Sequence, residues 1–186
     1  VYLRLAETMD PENRQSLDVK RVARNFRIIV TNRDAVGYVL GATLVFGGLY
    51  GYINCSEQLV AVHFGLGEKF AYVFGGMALC MAGSNFINSR IVETHGARRV
   101  SHTALLVFVF TGGLQWAAAT YYPDAFWLFA PIMTMNLALI GFLGANFSSI
   151  ALQPFQHFAG SASSLQTAMR VGGGAAAGPL CRPRGL

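Results

Sequence analysis

AFWLFAPIMTMNLALIGFLGANFSSIALQPFQHFAGSASSLQTAM, residues 125–169, contains no Asp, Glu, Lys or Arg. A helix in water needs charged side chains every turn or two on its wet face. A helix in lipid must shed them, because each costs about 2.5–3.5 kcal/mol at the bilayer centre. The same avoidance recurs upstream, over Ala35–Ser56, Phe70–Ser89 and Val100–Pro123. A bilayer core takes about 20 mostly apolar residues per helix. The three upstream gaps are each one helix long and the 125–169 gap is two helices long. The expected fold class is therefore an all-α membrane protein with about five transmembrane helices.

Bulk composition agrees. Hydrophobic residues make up 53% of the 186-residue chain and charged residues 12%, against roughly 25% charged in an ordinary globular domain. The net charge of +5 does not indicate nucleic acid, because the basic residues are clustered. Arg4, Arg14, Lys20, Arg21, Arg24, Arg27 and Arg33 precede the first gap, and Arg90, Arg98 and Arg99 follow the second. Basic residues at alternate helix ends are the mark of cytoplasmic loops, and a nucleic-acid face needs a fold signature or interleaved aromatics that are lacking here. Cys55, Cys80 and Cys181 form no CxxC or Cys/His spacing, so they are read as small apolar residues, without a disulfide framework or metal site. His63, His95, His102 and His157 have no acid or Cys at ligand spacing. No catalytic group, metal or cofactor is expected.

Residues 1–34 form a polar, basic segment. Asp10-Pro11-Glu12 suits a helix start. Leu17, Val22, Phe26, Ile29 and Val30 recur at near-helical spacing between Lys20, Arg21, Arg24 and Arg27. This pattern fits an amphipathic helix on a cytoplasmic membrane surface, and equally a solvated linker helix. Spans are expected at about 36–54, 70–88, 100–121, 125–148 and 162–180. Gly37 with Gly41, and Gly47 with Gly51, give the first span small-residue pairs for close helix approach. Pro131 is expected to kink the fourth span, and Gln153–Phe158 to form a loop. The loop Cys55–Lys69 and the aromatic turn Tyr121–Asp124 are poor in basic residues and belong outside. Residues 1–34 and the turn 89–99 belong inside. The stretch 181–186 departs from the apolar pattern as an aberrant or truncated tail. With no initiator Met and an odd number of spans, the chain is read as a piece of a longer protein.

Several motifs then resemble one transporter family. Leu5-Ala6-Glu7-Thr8-Met9-Asp10-Pro11-Glu12-Asn13-Arg14 resembles the L-P-E-T-L-x-P-E-x-R opening of the central loop of major facilitator drug exporters. Asn25–Arg33 followed by Gly37-Tyr38-Val39-Leu40 is similar to that family's approach to its seventh helix. Ala159-Gly160-Ser161-Ala162-Ser163-Ser164-Leu165-Gln166 resembles its A-G-x-A-S-S-x-Q start of helix eleven. Together they resemble the bicyclomycin/chloramphenicol-resistance (Bcr/CflA) branch. The resemblance implies the central loop and helices 7 to 11 of a C-terminal half, in a bacterial inner membrane. It also implies proton-coupled efflux of drugs or other small amphipathic molecules. The partners implied are the lipid bilayer, a small-molecule substrate, protons and a missing N-terminal half. Glu93, Gly96, Arg98 and Arg99 are similar to the family's loop motif, in which a glycine permits a tight reversal and the basic pair holds the turn inside. Glu93 is placed to pair with one of those arginines.

The helices that line the central cavity in the resembled fold make Tyr38, Phe46, Tyr50, Met133 and Asn136 candidates for a substrate pathway. Aromatic and Met side chains suit a varied apolar ligand. Arg170 is the one formal charge well inside a span, and no acid lies in any span. A membrane-embedded charge is a functional candidate with a partner expected. That partner is either in the absent half or a substrate anion, unless the side chain snorkels to the surface. The lack of an intramembrane acid places proton coupling elsewhere. Two other functions stay open: an uptake permease of the same fold, for a nutrient or metabolite, and a non-transporting membrane receptor or assembly protein.

Overall fold

A computed structural model describes residues 27, 28 and 31–177, with backbone only at 156–159, 161 and 173–177. The amphipathic helix expected within 13–30 lies almost wholly outside the described residues, as does the tail 181–186. The described chain is a bundle of five helices: α1 (Arg33–Glu57), α2 (Phe70–His95), α3 (Ala97–Tyr121), α4 (Phe126–Leu152) and α5 (Ala159–Ala177). Stretches Arg33–His63, Gly67–His95, Ala97–Tyr121 and Phe126–Phe155 are long and apolar enough to cross a membrane. The fifth helix, α5, is shorter and rich in Gly, Ala and Ser.

Local sequence explains the ends. Asn32 caps α1 by accepting a bond from the Ala35 N–H at 3.1 Å, satisfying one of the free donors of the first turn. Gln58–His63 continues α1 as a π-helical turn. Helices α2 and α3 run up to the single residue Gly96, further than the hydropathy gaps indicate. Gly96 has φ +79° and ψ 143°, a conformation essentially reserved for glycine. Helix α4 continues through Pro131. The missing N–H there would have bonded the Trp127 carbonyl, in the first turn of α4, so the loss falls at the frayed end of the helix. The expected break after α4 is present as the 3-10 segment Gln153–Phe158, with irregular backbone at Phe155.

Helix α4 is the post of the bundle and packs on α1, α2 and α3, while α5 lies against α1. Buried Leu137, Leu139, Ile140, Leu143 and Phe147 of α4 form the core with Ala42 and Val45 of α1, Met77 of α2 and Ala104 of α3. A small second cluster joins Ala35, Phe155 and Ala162 where α1, α4 and α5 meet. Large apolar residues such as Leu44, Tyr72, Leu79, Leu106, Trp116 and Trp127 point outward, fully compatible with a lipid surround.

Close approach occurs at one of the expected positions, Gly41, and at two glycines of α4. A Cβ on Gly41 would lie 2.9 Å from the Phe147 ring, whereas Gly37 faces open space. On α4, a Cβ on Gly141 would lie 2.7 Å from Asn85 Oδ1, and one on Gly144 would lie 2.7 Å from the Phe46 ring. Side-chain hydrogen bonds supplement this contact. Asn88 and Asn146 exchange amide bonds at 3.2 and 3.0 Å between α2 and α4. Thr111 donates to Asn136 Oδ1 at 2.5 Å between α3 and α4, and Ser84 donates to the Ala138 carbonyl at 3.2 Å. Tyr52 donates to Met77 Sδ at 3.1 Å between α1 and α2.

The two loops expected on one side do meet. His63 Nε2 lies 3.1 Å from the Pro123 carbonyl and 3.6 Å from Asp124, and the Phe64 ring packs on Phe126 and Phe129. The cysteines correct the sequence reading. Cys55 is disulfide-bonded, and Cys80 is a free thiol on an exposed face.

Two outcomes follow. Asn146→Leu alone strands the Asn88 amide and lowers stability by about 1–2 kcal/mol, while the double change Asn88→Leu/Asn146→Leu recovers most of that loss. Thermal unfolding in detergent measures both. Gly96→Ala costs about 1–3 kcal/mol in the same assay, because the added Cβ opposes the backbone conformation there.

Candidate functional site

Four helices face a common pocket of about 440 Å³. Phe46 comes from α1, Asn85 and Asn88 from α2, Gly144 and Ser148 from α4, and Arg170 from α5. Glycine at 144 lets the Phe46 ring lie against the α4 backbone. That ring is the platform for Arg170, whose guanidinium carbon sits 4.3 Å from the ring centroid, well within cation–π range. Arg170 Nη2 donates to the Gly144 carbonyl at 3.4 Å and to Ser148 Oγ. Ser148 in turn donates to the Gly144 carbonyl. The side chain is therefore turned into the bundle and does not snorkel along the helix surface. Arg170 Nε is buried with no acceptor. One turn earlier on the same face of α5, Gln166 is buried and its amide nitrogen also lacks a partner.

The sequence-derived candidates separate into three places. Phe46 and Arg170 come together in the pocket. Tyr50, one turn beyond Phe46, is 37% exposed and is not among the pocket's lining residues. Tyr38 stands on a different face of α1, with its ring edge-on to Phe147 at 5.5 Å. It lines a separate groove of about 590 Å³ between α1 and α3, together with Val45, His102 and Phe108. Met133 packs on the hydrophobic core, and Asn136 is buried and held by Thr111.

Asn85, Asn88 and Ser148 escaped the sequence reading. Each is a neutral polar residue in a charge-free stretch, and only its spatial neighbours reveal what it faces. A usable signal was the spacing Asn85–Asn88 on α2 and Gly144–Ser148 on α4, which puts polar or small residues on one helix face.

In the loop motif, Gly96 makes the tight reversal, and Arg98 and Arg99 are exposed in the first turn of α3. Among the described residues no ion pair joins Glu93 to either arginine, so the expected pairing is absent. The reason is geometric: Glu93 precedes Gly96 on α2 and the arginines follow it on α3, and the reversal at Gly96 carries the two sides onto different helices.

The pocket sets the Arg170 cation among neutral donors and acceptors, and its walls come from four helices. Among the described residues no cluster is able to ligate a metal. The chain is similar to a bicyclomycin resistance protein homolog. That protein, from Haemophilus influenzae (strain ATCC 51907 / DSM 11121 / KW20 / Rd), is 29% identical over 182 residues, which cover 97% of this chain. The chain spans less than half, 45%, of the length of this curated relative. No family model matches the chain, and no solved structure matches it.

Gly144→Val drives a methyl group into the Phe46 ring and costs about 1–3 kcal/mol as overpacking. Adding Phe46→Leu recovers part of that loss by giving the new side chain room. The midpoints of thermal unfolding of the two variants test this.

Proposed function

We propose that this chain is the C-terminal part of a bacterial inner-membrane transporter of the major facilitator type, of the bicyclomycin/chloramphenicol-resistance branch. It exports drugs or other small amphipathic molecules. The observation that carries the reading is the pocket walled by α1, α2, α4 and α5, with Arg170 and Phe46 at its centre. Supporting it are the spanning lengths of the helices and the name and greater length of the similar protein.

In this reading the four-helix face meets a matching face of the remaining polypeptide. Rocking of the two halves exposes the pocket alternately to either side of the membrane. Residues 1–34 are the cytoplasmic connection between the halves, and the Gly96 turn with Arg98 and Arg99 lies on that same side. The substrate pathway runs past Phe46, Tyr50 and Arg170, and Tyr38, Met133 and Asn136 support it from the neighbouring core. Export is driven by protons. The described acids, Asp34, Glu57, Glu68, Glu93 and Asp124, all sit at helix ends or in connections, so the coupling carboxylate belongs to the remaining polypeptide.

Expression of the whole gene in a drug-sensitive bacterium should raise the inhibitory concentration of bicyclomycin or another amphipathic antibiotic severalfold. A protonophore should abolish the accompanying efflux. The 186-residue chain alone should confer no resistance. A whole-gene product that leaves both drug and dye accumulation unchanged would refute export.

A further inference from the structure

The Arg170 guanidinium carries more hydrogen-bonding capacity than the protein uses. It has five N–H donors and no acceptor. Nη2 serves the Gly144 carbonyl and Ser148 Oγ. Nε is buried without a partner, and among the described residues Nη1 has no acceptor either. The charge is equally unmatched. The pocket is lined by Phe46, Met81, small residues and neutral polar side chains, with no acid. Leaving a buried donor on a cation unpaired costs the desolvation of that group. A cation–π contact offsets part of that cost and leaves the N–H edges free. Asn85, an exposed residue of α2, also lines the pocket and makes no hydrogen bond among the described residues. Its amide oxygen and nitrogen lie within about 3 Å of the space a Gly141 side chain would occupy.

We propose that this pocket is a carboxylate-binding site, with Arg170 as the fork that receives the anion and the Asn85 amide as an additional donor. A guanidinium matches a carboxylate in two parallel, charge-assisted bonds, and the aromatic platform orients the fork. The pocket volume of about 440 Å³ is within the range of small-molecule sites and accommodates a single-ring aromatic acid. The same chemistry reaches Arg170 from two sources: the carboxylate of a solute, or an acidic side chain of the remaining polypeptide. The inference deepens the transport reading and rests on it only for the role of this face.

Direct binding tests it. With this chain in phosphatidylcholine nanodiscs at neutral pH, radiolabelled benzoate should bind saturably and about tenfold or more tighter than the isosteric neutral benzamide. Arg170→Gln should erase that preference, and Arg170→Lys should keep part of it as a point charge without the fork. Equal binding of the two probes, or an unchanged preference in Arg170→Gln, overturns the proposal. Should Arg170→Gln lose its helical circular dichroism, phenylglyoxal labelling of the unmutated chain decides instead. Benzoate, and not benzamide, should then slow Arg170 modification read by mass spectrometry; absent or unaffected labelling overturns the site.

The same labelling on the whole-gene product distinguishes the sources. Protection without benzoate assigns the carboxylate to the polypeptide, and protection only with benzoate assigns it to the solute. Protection in neither condition overturns the proposal. Benzoate binding by a protein that exports nothing would retain the site and remove the transport reading. Export without any benzoate preference would remove the site alone.

Discussion

Helices that have shed their charges have no hydrophobic force drawing them together, because lipid tails are as apolar as their own side chains. Close packing and hydrogen bonds between helices must do it. In this protein both converge on α4. Gly141 and Gly144 let α2 and α1 side chains reach its backbone. Asn136 and Asn146 tie it to α3 and α2. Remove the small residues and the neighbours stand off; remove the amides and their partners are stranded in an apolar medium. The core of α1, α2, α3 and α4 is arranged around that one helix.

The pocket is a consequence of the same arrangement. Phe46 is where it is because Gly144 has no side chain. Arg170 is where it is because Phe46 offers a ring face and the α4 backbone offers a carbonyl. The packing that holds the bundle together thus also places a cation among the helices, with donors to spare. Elsewhere on α1 the same close packing gives a different result: Tyr38 and Phe147 meet edge to edge beside a separate groove that Arg33, Asp34 and His102 also line.

Much of the fold was legible because lipid imposes a one-dimensional rule. Charge avoidance over Ala35–Ser56, Phe70–Ser89, Val100–Pro123 and 125–169 located all five helices, and the break at Gln153–Phe158 was legible from its own residues. Helix ends were not. Helix α2 runs to His95 through Arg90 and Glu93 because exposed charges are tolerated in a helix once it has left the apolar layer. The glycine pairs misled as well: Gly37 and Gly41 are equally small, but only Gly41 faces a neighbour. Arg170 was visible as an isolated charge, whereas Asn85, Asn88 and Ser148 were not, since neutral amides and hydroxyls recur along these helices and do not stand out as a charge does.

The sequence by itself determined the apolar lengths of the described helices, the glycine turn at position 96 and the presence of one isolated cation, because each is a property of a residue and its near neighbours along the chain. Only the tertiary structure decided which helix stands at the centre, which glycines are contacts and which residues share the pocket with Arg170. Those are relations between α1, α2, α4 and α5. An apolar helix is nearly uniform around its circumference, so nothing along the chain says which face meets which.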